Sequence, residues 1–542
     1  MLVTASVLAL APTAQGAGAG LPDPTFGSGG FTILDEPAES NEQLYDLVIQ
    51  PDGKILAAGA KGASKGFILA RFNPDGSSDL GFGPGGIKVE PDLEETGSPR
   101  GIADIEARPD GKILAMGLGR GTGGLNSFLF ARYTPEGVID PTWGKGGFRL
   151  VQLATFVIPG GLALAPDGKI VGVGDSETTV PVVRLTEDGK NDASFNAAPI
   201  GVRELDVPGT TSEAADAVKV LGDGTILVGG SAGSLGAFLG ELDVEGKPVA
   251  GFGGGGTTTF DLGTGPTPSG SVESLQVLPD GRILAAGGAS SGPGGNRQLV
   301  VARFTADGKL DPTFAGGGIF RSDPTSGGDE ATALVVQPDG KIVVAGLRGQ
   351  MNMDELGDTY LLRLTADGQL DPSFGAGGET VASASPFADR ANGLALQGDG
   401  RPVIAGFADG IGGHQLLVGR FTVDQPLTAT ETKTNETAPT GRCGGRRATR
   451  IGTSKADRIV GTKGADVIVG LKGNDRIKGR GGNDLICAGA GNDVVSGGGG
   501  QDRLLGGAGK DRVLGGPGRD ICVGGGGRDS AGASCERLKR VP

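Results

Sequence analysis

The residues best suited to chemistry are aspartates that recur at a fixed interval near the C-terminus. They stand nine residues apart throughout, at Asp457, Asp466, Asp475, Asp484, Asp493, Asp502, Asp511, Asp520 and Asp529. A carboxylate offers the hard oxygen atoms that Ca²⁺ prefers. We therefore interpret this row as a series of calcium ligands, with a metal-free, glycine-rich solenoid as the alternative.

Each aspartate belongs to a nonapeptide that approximates G-G-x-G-x-D-x-U-x, in which U is apolar. The U side chains should point inward and stack into a thin core, formed by Ile459, Ile468, Ile477, Ile486, Val495, Leu504 and Val513. Glycine permits tight turns and lets backbone carbonyls approach an ion, which gives a metal-site role to Gly473, Gly482, Gly491, Gly500 and Gly509. Because so thin a core cannot fold by itself, metal binding is expected to supply folding free energy.

The nonapeptides resemble the calcium-binding β-roll repeats of the RTX (haemolysin-type) family. The resemblance implies Ca²⁺ ions between loops two repeats apart, and metal ligands at Asp466, Asp475, Asp484, Asp493, Asp502, Asp511 and Asp520. It pairs Asp466 with Asp484, Asp475 with Asp493, Asp484 with Asp502, Asp493 with Asp511, and Asp502 with Asp520. Four cations depart from the pattern and should weaken nearby sites by Coulomb repulsion; they are Lys455, Lys510, Arg519 and Arg528.

The cysteines all lie in the last hundred residues, at Cys443, Cys487, Cys522 and Cys535. An even number in an exported chain favours two disulfides. Three connectivities are possible. We favour the pairing Cys443–Cys487 and Cys522–Cys535, which would staple the two ends of the solenoid.

A longer repeat organises the rest of the chain. An apolar strand, a (P)DG-type turn and a second apolar strand recur seven times, with turn aspartates at Asp52, Asp110, Asp167, Asp223, Asp280, Asp339 and Asp399. The turn has a mechanism, because Pro presets φ, Asp bonds its own backbone and Gly accepts positive φ. A third strand, such as 67–72, and a fourth, such as 87–90, complete the unit. Four short strands per unit are typical of a propeller blade.

The N-terminal strand 31–34 should complete the last unit, because the last strand pair, ending at Phe421, has no fourth strand of its own. This exchange would remove open sheet edges. The predicted fold is all-β: a closed seven-bladed β-propeller, then a parallel β-roll or β-helix of nonapeptide repeats. Segments such as QPDGKIL at 50–56 and DPTF at 311–314 resemble the delta-60 repeats of bacterial secreted proteins. That resemblance implies the propeller fold and no reaction.

Composition and charge suggest how the chain is divided. Residues 1–440 carry 30 basic and 53 acidic side chains, whereas residues 441–542 carry 19 and 10, so an acidic body precedes a basic tail. The predicted regions are a signal-like segment (1–20), the propeller (21–424), a Thr- and Pro-containing linker (425–450), the RTX-type roll (451–535) and a basic tail (536–542). A signal and disulfides predict a secreted, extracellular or cell-surface protein. No later apolar run is long enough to span a membrane.

The sequence also narrows the function. The single histidine, His414, excludes Ser-His-Asp and Cys-His catalysis and multi-His metal centres. The acidic body should repel nucleic acid, and no singular carboxylate cluster breaks the propeller repeat, so we do not expect an enzyme. We expect a calcium-binding protein whose propeller is a binding or structural scaffold and whose basic roll contacts an anionic cell-wall or extracellular polymer. The alternatives are a secreted propeller hydrolase or lyase, with acidic residues at the central channel, and a surface protein without a specific ligand.

Overall fold

The computed structural model separates the chain into two compact units, Met1–Thr432 and Lys433–Pro542, which we treat one at a time. It describes residues 19–34, 42–62, 66–89, 101–153, 155–176, 179–196, 201–210, 212–263, 269–290, 297–322, 328–348, 358–385, 388–410, 413–423, 442–443, 446–453, 455–526, 530–531 and 535–539. The signal-like segment lies outside these residues except for its last two. Of these, Ala19 is already part of the first unit, where it is buried and bridges to Phe374.

The first unit consists almost entirely of short strands. In chain order they are β1 (Phe31–Leu34), β2 (Gln43–Ile49), β3 (Ile55–Ala60), β4 (Phe67–Phe72), β5 (Ile87–Val89), β6 (Ile102–Ala107), β7 (Ile113–Arg120), β8 (Asn126–Tyr133), β9 (Phe148–Val151), β10 (Ile158–Leu164), β11 (Ile170–Asp175), β12 (Val180–Leu185), β13 (Val202–Leu205), β14 (Ala214–Val220), β15 (Ile226–Ser231), β16 (Ala237–Leu242), β17 (Thr257–Phe260), β18 (Ser271–Val277), β19 (Ile283–Ser290), β20 (Arg297–Phe304), β21 (Ile319–Ser322), β22 (Glu330–Val336), β23 (Ile342–Arg348), β24 (Asp358–Leu364), β25 (Glu379–Ala382), β26 (Asp389–Leu396), β27 (Pro402–Gly410) and β28 (Gly413–Arg420). The helical elements among the described residues are short 3₁₀ turns at Pro84–Gly86, Thr122–Gly124 and Gly233–Leu235.

The strands form antiparallel four-stranded meanders, as the repeat predicts. Separate sheets contain β2–β5, β6–β9, β18–β21 and β22–β25, whereas β10–β13 and β14–β17 are joined into one sheet by a single bridge, Asp175 with Ala214. The innermost strands β2, β6, β10, β14, β18, β22 and β26 contact one another in chain order, and β26 contacts β2. The all-β, propeller-like architecture is therefore confirmed. The blade number of seven stays a prediction, because two of the predicted units share one sheet.

The predicted closure by the N-terminal strand is present. Strand β1 pairs antiparallel with β28, from Phe31 opposite Gly419 to Leu34 opposite Leu416, and completes the sheet of β26, β27 and β28. One hydrophobic cluster joins this sheet to the first, with Val403 and Val418 packed beside Leu47. The ends of the unit are thus held by both a strand pair and a core.

The repeated turn and the repeated DPTF-like segment both have structural roles. At the first turn, the Lys54 amide donates to Asp52 Oδ1 (3.1 Å) and Gly53 has φ 83°. In the same unit Arg71 Nε pairs with Asp79 at 2.7 Å, and its guanidinium lies 4.4 Å from the centroid of the Phe82 ring. Equivalent buried pairs recur in the other units, at Arg132–Asp140, Arg184–Asp192, Arg303–Asp311, Arg363–Asp371 and Arg420–Asp23. The unit around β16 lacks the pair, because Glu241 and Val249 occupy these positions.

The second unit is a parallel two-sheet roll with a short hairpin before it. Its strands are β29 (Arg442–Cys443), β30 (Arg446–Arg447), β31 (Arg450–Ile451), β32 (Arg458–Val460), β33 (Val467–Val469), β34 (Arg476–Gly481), β35 (Leu485–Ala490), β36 (Val494–Gly499), β37 (Arg503–Ala508), β38 (Arg512–Leu514), β39 (Asp520–Gly526), β40 (Ser530–Ala531) and β41 (Cys535–Lys539). The first roll sheet contains β31, β33, β35, β37, β39 and β41, and the second contains β32, β34, β36, β38 and β40. Successive nonapeptides therefore alternate between the two sheets.

The roll has the thin core that the sequence predicts. The U side chains stack between the sheets, with Ile468, Ile477, Ile486, Val495, Leu504 and Val513 all at most 1 % exposed. Both disulfides are present in the favoured pairing, with Cα–Cα distances of 5.6 Å for Cys443–Cys487 and 5.7 Å for Cys522–Cys535.

Candidate calcium-binding site

The repeat aspartates lie at the turns between the two roll sheets. The described ones, from Asp457 to Asp520, each stand immediately before a strand or at its first residue, and Asp529 lies outside the described residues. Seven of them are at most 4 % exposed: Asp466, Asp475, Asp484, Asp493, Asp502, Asp511 and Asp520. Carboxylates are rarely buried to this degree without a partner, so their hydrogen bonds must be accounted for.

One carboxylate oxygen of each aspartate joins it to the copy two repeats earlier. The Asp466 amide donates to Asp484 Oδ1 at 2.8 Å, and the Asp484 amide donates to Asp502 Oδ1 at 2.9 Å. The same bond links Asp475 to Asp493, Asp493 to Asp511, and Asp502 to Asp520. The structure therefore brings together all five pairs implied by the RTX resemblance, three along the first roll sheet and two along the second.

The second carboxylate oxygen has no hydrogen-bond partner in five of these residues. The buried Oδ2 atoms are those of Asp475, Asp484, Asp493, Asp502 and Asp520. An unsatisfied buried acceptor costs about 1–3 kcal/mol, and more when it is charged. A hard divalent cation at each Oδ2 would remove that cost, so the geometry fits Ca²⁺.

Asp466 differs from the other predicted ligands. Its Oδ2 already accepts bonds from the Thr462 amide (2.5 Å) and the Thr462 hydroxyl (2.9 Å), and its Oδ1 accepts one from the Thr449 hydroxyl (3.0 Å). Asp457 Oδ2 likewise accepts bonds from the Thr453 amide and the Thr453 hydroxyl. The sequence analysis placed Asp466 among the ligands because it considered the nine-residue repeat and not the threonine four residues before the aspartate.

Backbone carbonyls complete the arrangement. Calcium takes six to eight oxygens, and the described residues contain no group of three or more His, Cys, Asp or Glu side chains that could hold a metal. The ligand set must therefore include main-chain oxygens. A Cβ built on Gly479 would collide with both Asp484 Oδ2 and the Gly497 carbonyl oxygen, so these two oxygens converge on one point.

The predicted loop glycines have backbone conformations or close contacts that a residue with a Cβ would not tolerate. Gly491, Gly500 and Gly509 have φ of 142°, 136° and 134°, a region that residues with a Cβ rarely adopt. A Cβ on Gly491 would also overlap the carbonyl oxygen of Gly473, one nonapeptide pair earlier. Gly473 and Gly482 have φ of 116° and 96°. The close approach of carbonyls that the sequence analysis assigned to these glycines is thus present.

Electrostatics opposes the aspartate stack when no cation is present. Burial, followed by the charges of Asp502 and Asp466, raises the pKa of Asp484 from 3.8 to about 6. Burial likewise raises the pKa values of Asp475, Asp493 and Asp502. For Asp466 burial acts in the same direction, but the bonds from Thr462 outweigh it and lower the pKa. Four of the aspartates with free Oδ2 atoms, Asp475, Asp484, Asp493 and Asp502, therefore carry a charge that the protein alone does not stabilise.

The first unit contains a second group of carboxylates, in the channel between its innermost strands. A cavity of about 290 Å³ is lined by Asp46, Asp104, Glu106, Asp216 and Glu273. Most of these residues lie at or beside a β-bulge in the innermost strand, such as the register shift between Leu44 and Asp46. The expectation that no singular carboxylate cluster breaks the repeat is wrong. The bulge adds one residue that faces the channel, and the acids come from units about sixty residues apart, so no local pattern in the sequence marks them.

Two of the channel acids form hydrogen bonds to the backbone of the neighbouring sheet. Asp46 Oδ2 accepts from the Ile105 amide (3.3 Å) and Asp104 Oδ2 from the Leu162 amide (2.6 Å). The two carboxyls also bond to each other, and burial followed by the charge of Asp46 raises the pKa of Asp104 well above its ordinary value.

Two further channel acids, Glu106 and Asp216, are also destabilised as anions. Burial, partly opposed by Lys219, raises the pKa of Glu106 to about 7. Burial and the charges of Glu273 and Glu330 raise that of Asp216 to about 7. The channel thus presents several carboxyls whose charged forms burial disfavours.

Family models match both units. The RTX calcium-binding nonapeptide repeat matches residues 451–486, 460–495 and 496–531. A β-propeller domain of unknown function, DUF5122, matches residues 50–82, 108–142, 165–195, 278–314 and 337–374. No curated protein matches the chain in sequence.

Solved structures match this chain at low sequence identity and low TM-score. A glucose dehydrogenase is 13 % identical and covers 72 % of this chain and 99 % of its own, with a TM-score of 0.35. An α-L-arabinanase of Penicillium chrysogenum is 13 % identical and covers 72 % of this chain and 96 % of its own, with a TM-score of 0.39. Sqt1 of Chaetomium thermophilum is 14 % identical and covers 73 % of this chain and 98 % of its own, with a TM-score of 0.36. Similarity this low does not bear on activity. The family matches do identify the parts: the chain carries DUF5122 β-propeller repeats followed by RTX calcium-binding nonapeptide repeats.

Proposed function

We propose that this protein is an exported calcium-binding scaffold whose roll folds on Ca²⁺ and whose propeller presents a binding or structural surface. The observation that carries the proposal is the row of buried Oδ2 atoms without partners in Asp475, Asp484, Asp493, Asp502 and Asp520. The RTX repeats support Ca²⁺ as the ion. In such a roll the ion would supply the positive charge that these carboxylates lack in the protein.

An extracellular location fits the same features. Disulfides persist in oxidising compartments, and the chain has two besides its RTX repeats. No helix in the described part of the chain is long and apolar enough to cross a membrane. Export would carry the roll from a compartment poor in free calcium to one where its sites fill, so that folding follows secretion.

A basic roll also supports the proposed contact with an anionic polymer. Residues 441–542 carry 19 basic and 10 acidic side chains, and bound Ca²⁺ would neutralise the repeat aspartates and leave the basic side chains in excess. An anionic cell-wall or extracellular polymer would then bind by charge complementarity.

A calcium titration of the full chain tests the proposal. Far-UV circular dichroism should show β structure that is gained with Ca²⁺ and lost in chelator, while Trp143 fluorescence stays constant because residues 433–542 contain no Phe, Tyr or Trp. A spectrum that is identical in excess chelator would contradict calcium-dependent folding. A glycan and cell-wall array would then separate a binding scaffold from an inert one.

The channel carboxyls favour one second candidate, a propeller hydrolase or lyase. Asp104, whose pKa burial and the charge of Asp46 raise well above its ordinary value, lies beside a second buried carboxyl, Asp46, and such coupled pairs can act as general acid and general base. Turnover of a polysaccharide that is abolished by Asp104→Asn and retained in Glu241→Gln, which changes an acid outside the channel, would establish this activity. No turnover across a polysaccharide panel would leave the carboxyls with their role in joining the sheets.

A further inference from the structure

The two outer faces of the roll differ in chemistry. On the first roll sheet, Val469 and Leu485 pack with Cys443 of the preceding hairpin, so part of this face is apolar and covered. On the second, the residue after each aspartate points outward, because the U residue that follows it is buried in the core. Those outward positions are basic in three of the first four copies: Arg458, Arg476 and Arg512 are all exposed.

The register places these arginines in one row. Arg458 lies directly opposite Arg476, Arg476 opposite Val494, and Val494 opposite Arg512. Neighbouring strands are about 4.8 Å apart. Arg458 and Arg476 are therefore one strand spacing apart, and Arg476 and Arg512 are two spacings apart. Lys478 continues the basic surface beside Arg476 on the same strand. We call Arg458, Arg476, Lys478 and Arg512 the basic ladder.

The ladder has no partner within the described residues. None of its four side chains forms an ion pair or hydrogen bond with another described residue, and the carboxylates of the neighbouring copies point into the roll, where they are buried. Like charges opposite one another destabilise a sheet. A row of arginines in register is therefore a cost to the fold, which an external anion would remove.

We infer that the basic ladder binds a linear acidic polysaccharide with one carboxylate on each sugar, of the polyuronate class. This inference rests on the proposed contact with an anionic polymer and names its surface. Arginine matches carboxylates through two parallel N–H···O bonds, and the strand spacing is close to the length of one pyranose unit in an extended chain. Nucleic acid fits less well, because its charge density is higher and residues 1–440 carry a net charge of −23 from 30 basic and 53 acidic side chains.

The test measures binding of a labelled galacturonate hexamer to the full chain by fluorescence anisotropy, with free Ca²⁺ buffered above saturation. The ladder variant is Arg458→Ser, Arg476→Ser and Arg512→Ser. The matched control is Lys455→Ser, Lys463→Ser and Lys510→Ser, which removes the same charge from exposed positions of the same unit. We expect the ladder variant to bind on the order of tenfold more weakly, as three exposed ion pairs allow, and the control to bind within about twofold of the wild type.

Three results would overturn the inference. The first is no binding by a wild-type protein that retains calcium in equilibrium dialysis, which would leave the calcium scaffold intact. The second is an equal loss in the ladder and control variants, which would indicate attraction by net charge alone. The third is equal or tighter binding of a single-stranded DNA hexamer, which would replace the polysaccharide with nucleic acid. Absence of calcium retention, measured on the same samples, would contradict the proposed function itself.

Discussion

Asp484→Asn tests whether the buried Oδ2 row holds calcium. The substitution keeps Oδ1, so the 2.8 Å bond from the Asp466 amide can still form, and the side-chain volume is almost unchanged. It replaces Oδ2, which has no hydrogen-bond partner, by an NH₂ group that cannot bind a cation. The variant therefore removes the proposed ligand while it leaves the stack of strands in place.

The size of the effect follows from the number of unsatisfied atoms. Five buried Oδ2 atoms lack a partner, and each costs about 1–3 kcal/mol, so the row costs about 5–15 kcal/mol without cations. That range equals the entire stability of an ordinary domain. The roll should therefore unfold in chelator. Asp484 belongs to two of the implied pairs, but the Oδ2 of Asp466 is already occupied by Thr462, so the variant should lose the one ion that Asp484 shares with Asp502.

Asp466→Asn is the matched control. It changes the same repeat position, but its Oδ2 is already occupied by the amide and hydroxyl of Thr462, so calcium stoichiometry should change little. Equilibrium dialysis counts the ions, and hydrogen exchange with mass spectrometry follows protection of peptides within 467–526. Protection should depend on Ca²⁺ in the wild type and fall in Asp484→Asn. Equal protection with and without chelator, or equal loss of calcium in both variants, would refute the reasoning.

Three further predictions concern stability. Removing the Cys443–Cys487 bond should lower the free energy of unfolding by about 4 kcal/mol, and removing Cys522–Cys535 should lower it by about 3 kcal/mol. The difference arises because the closed loops have different lengths, with sequence separations of 44 and 13. Calorimetry of the calcium-loaded protein checks the order. Arg363→Leu should lower the free energy of unfolding of the first unit by about 1.5–3 kcal/mol, since buried Asp371 loses its bond from Arg363 and keeps the one from Lys341. Lys309→Ala, at an exposed pair, should leave denaturant midpoints almost unchanged. Burial raises the pKa of Glu106 to about 7 in the folded state, so the folded protein keeps a proton that the unfolded chain releases above about pH 4.5. The free energy of unfolding should therefore fall by about 1–3 kcal/mol between pH 4.5 and 7. A Glu106→Gln variant whose free energy of unfolding shows the same pH slope as the wild type would contradict this.

Several features of the fold follow from local sequence. A nine-residue period with an apolar residue two places after each aspartate leaves a parallel roll as the arrangement that buries Ile477, Ile486 and Val495 together. The Asp-Gly turns predict the strand pairs of the first unit, and the missing fourth strand at its end predicts the pairing of β1 with β28. These predictions hold because each depends on residues within one repeat or on the simple count of strands.

What only the tertiary structure decided depends on how the turns close and on contacts between residues of different repeats. The channel acids Asp46 and Asp104 meet because a bulge in each innermost strand turns them toward one axis. The Thr462 hydroxyl reaches Asp466 only once the turn has closed, and this removes one predicted ligand from the row of free oxygens. The basic ladder exists because strands eighteen residues apart lie in register. Periodicity determines which residues face inward, but the atoms that remain unsatisfied depend on neighbours that the chain brings together only when it folds.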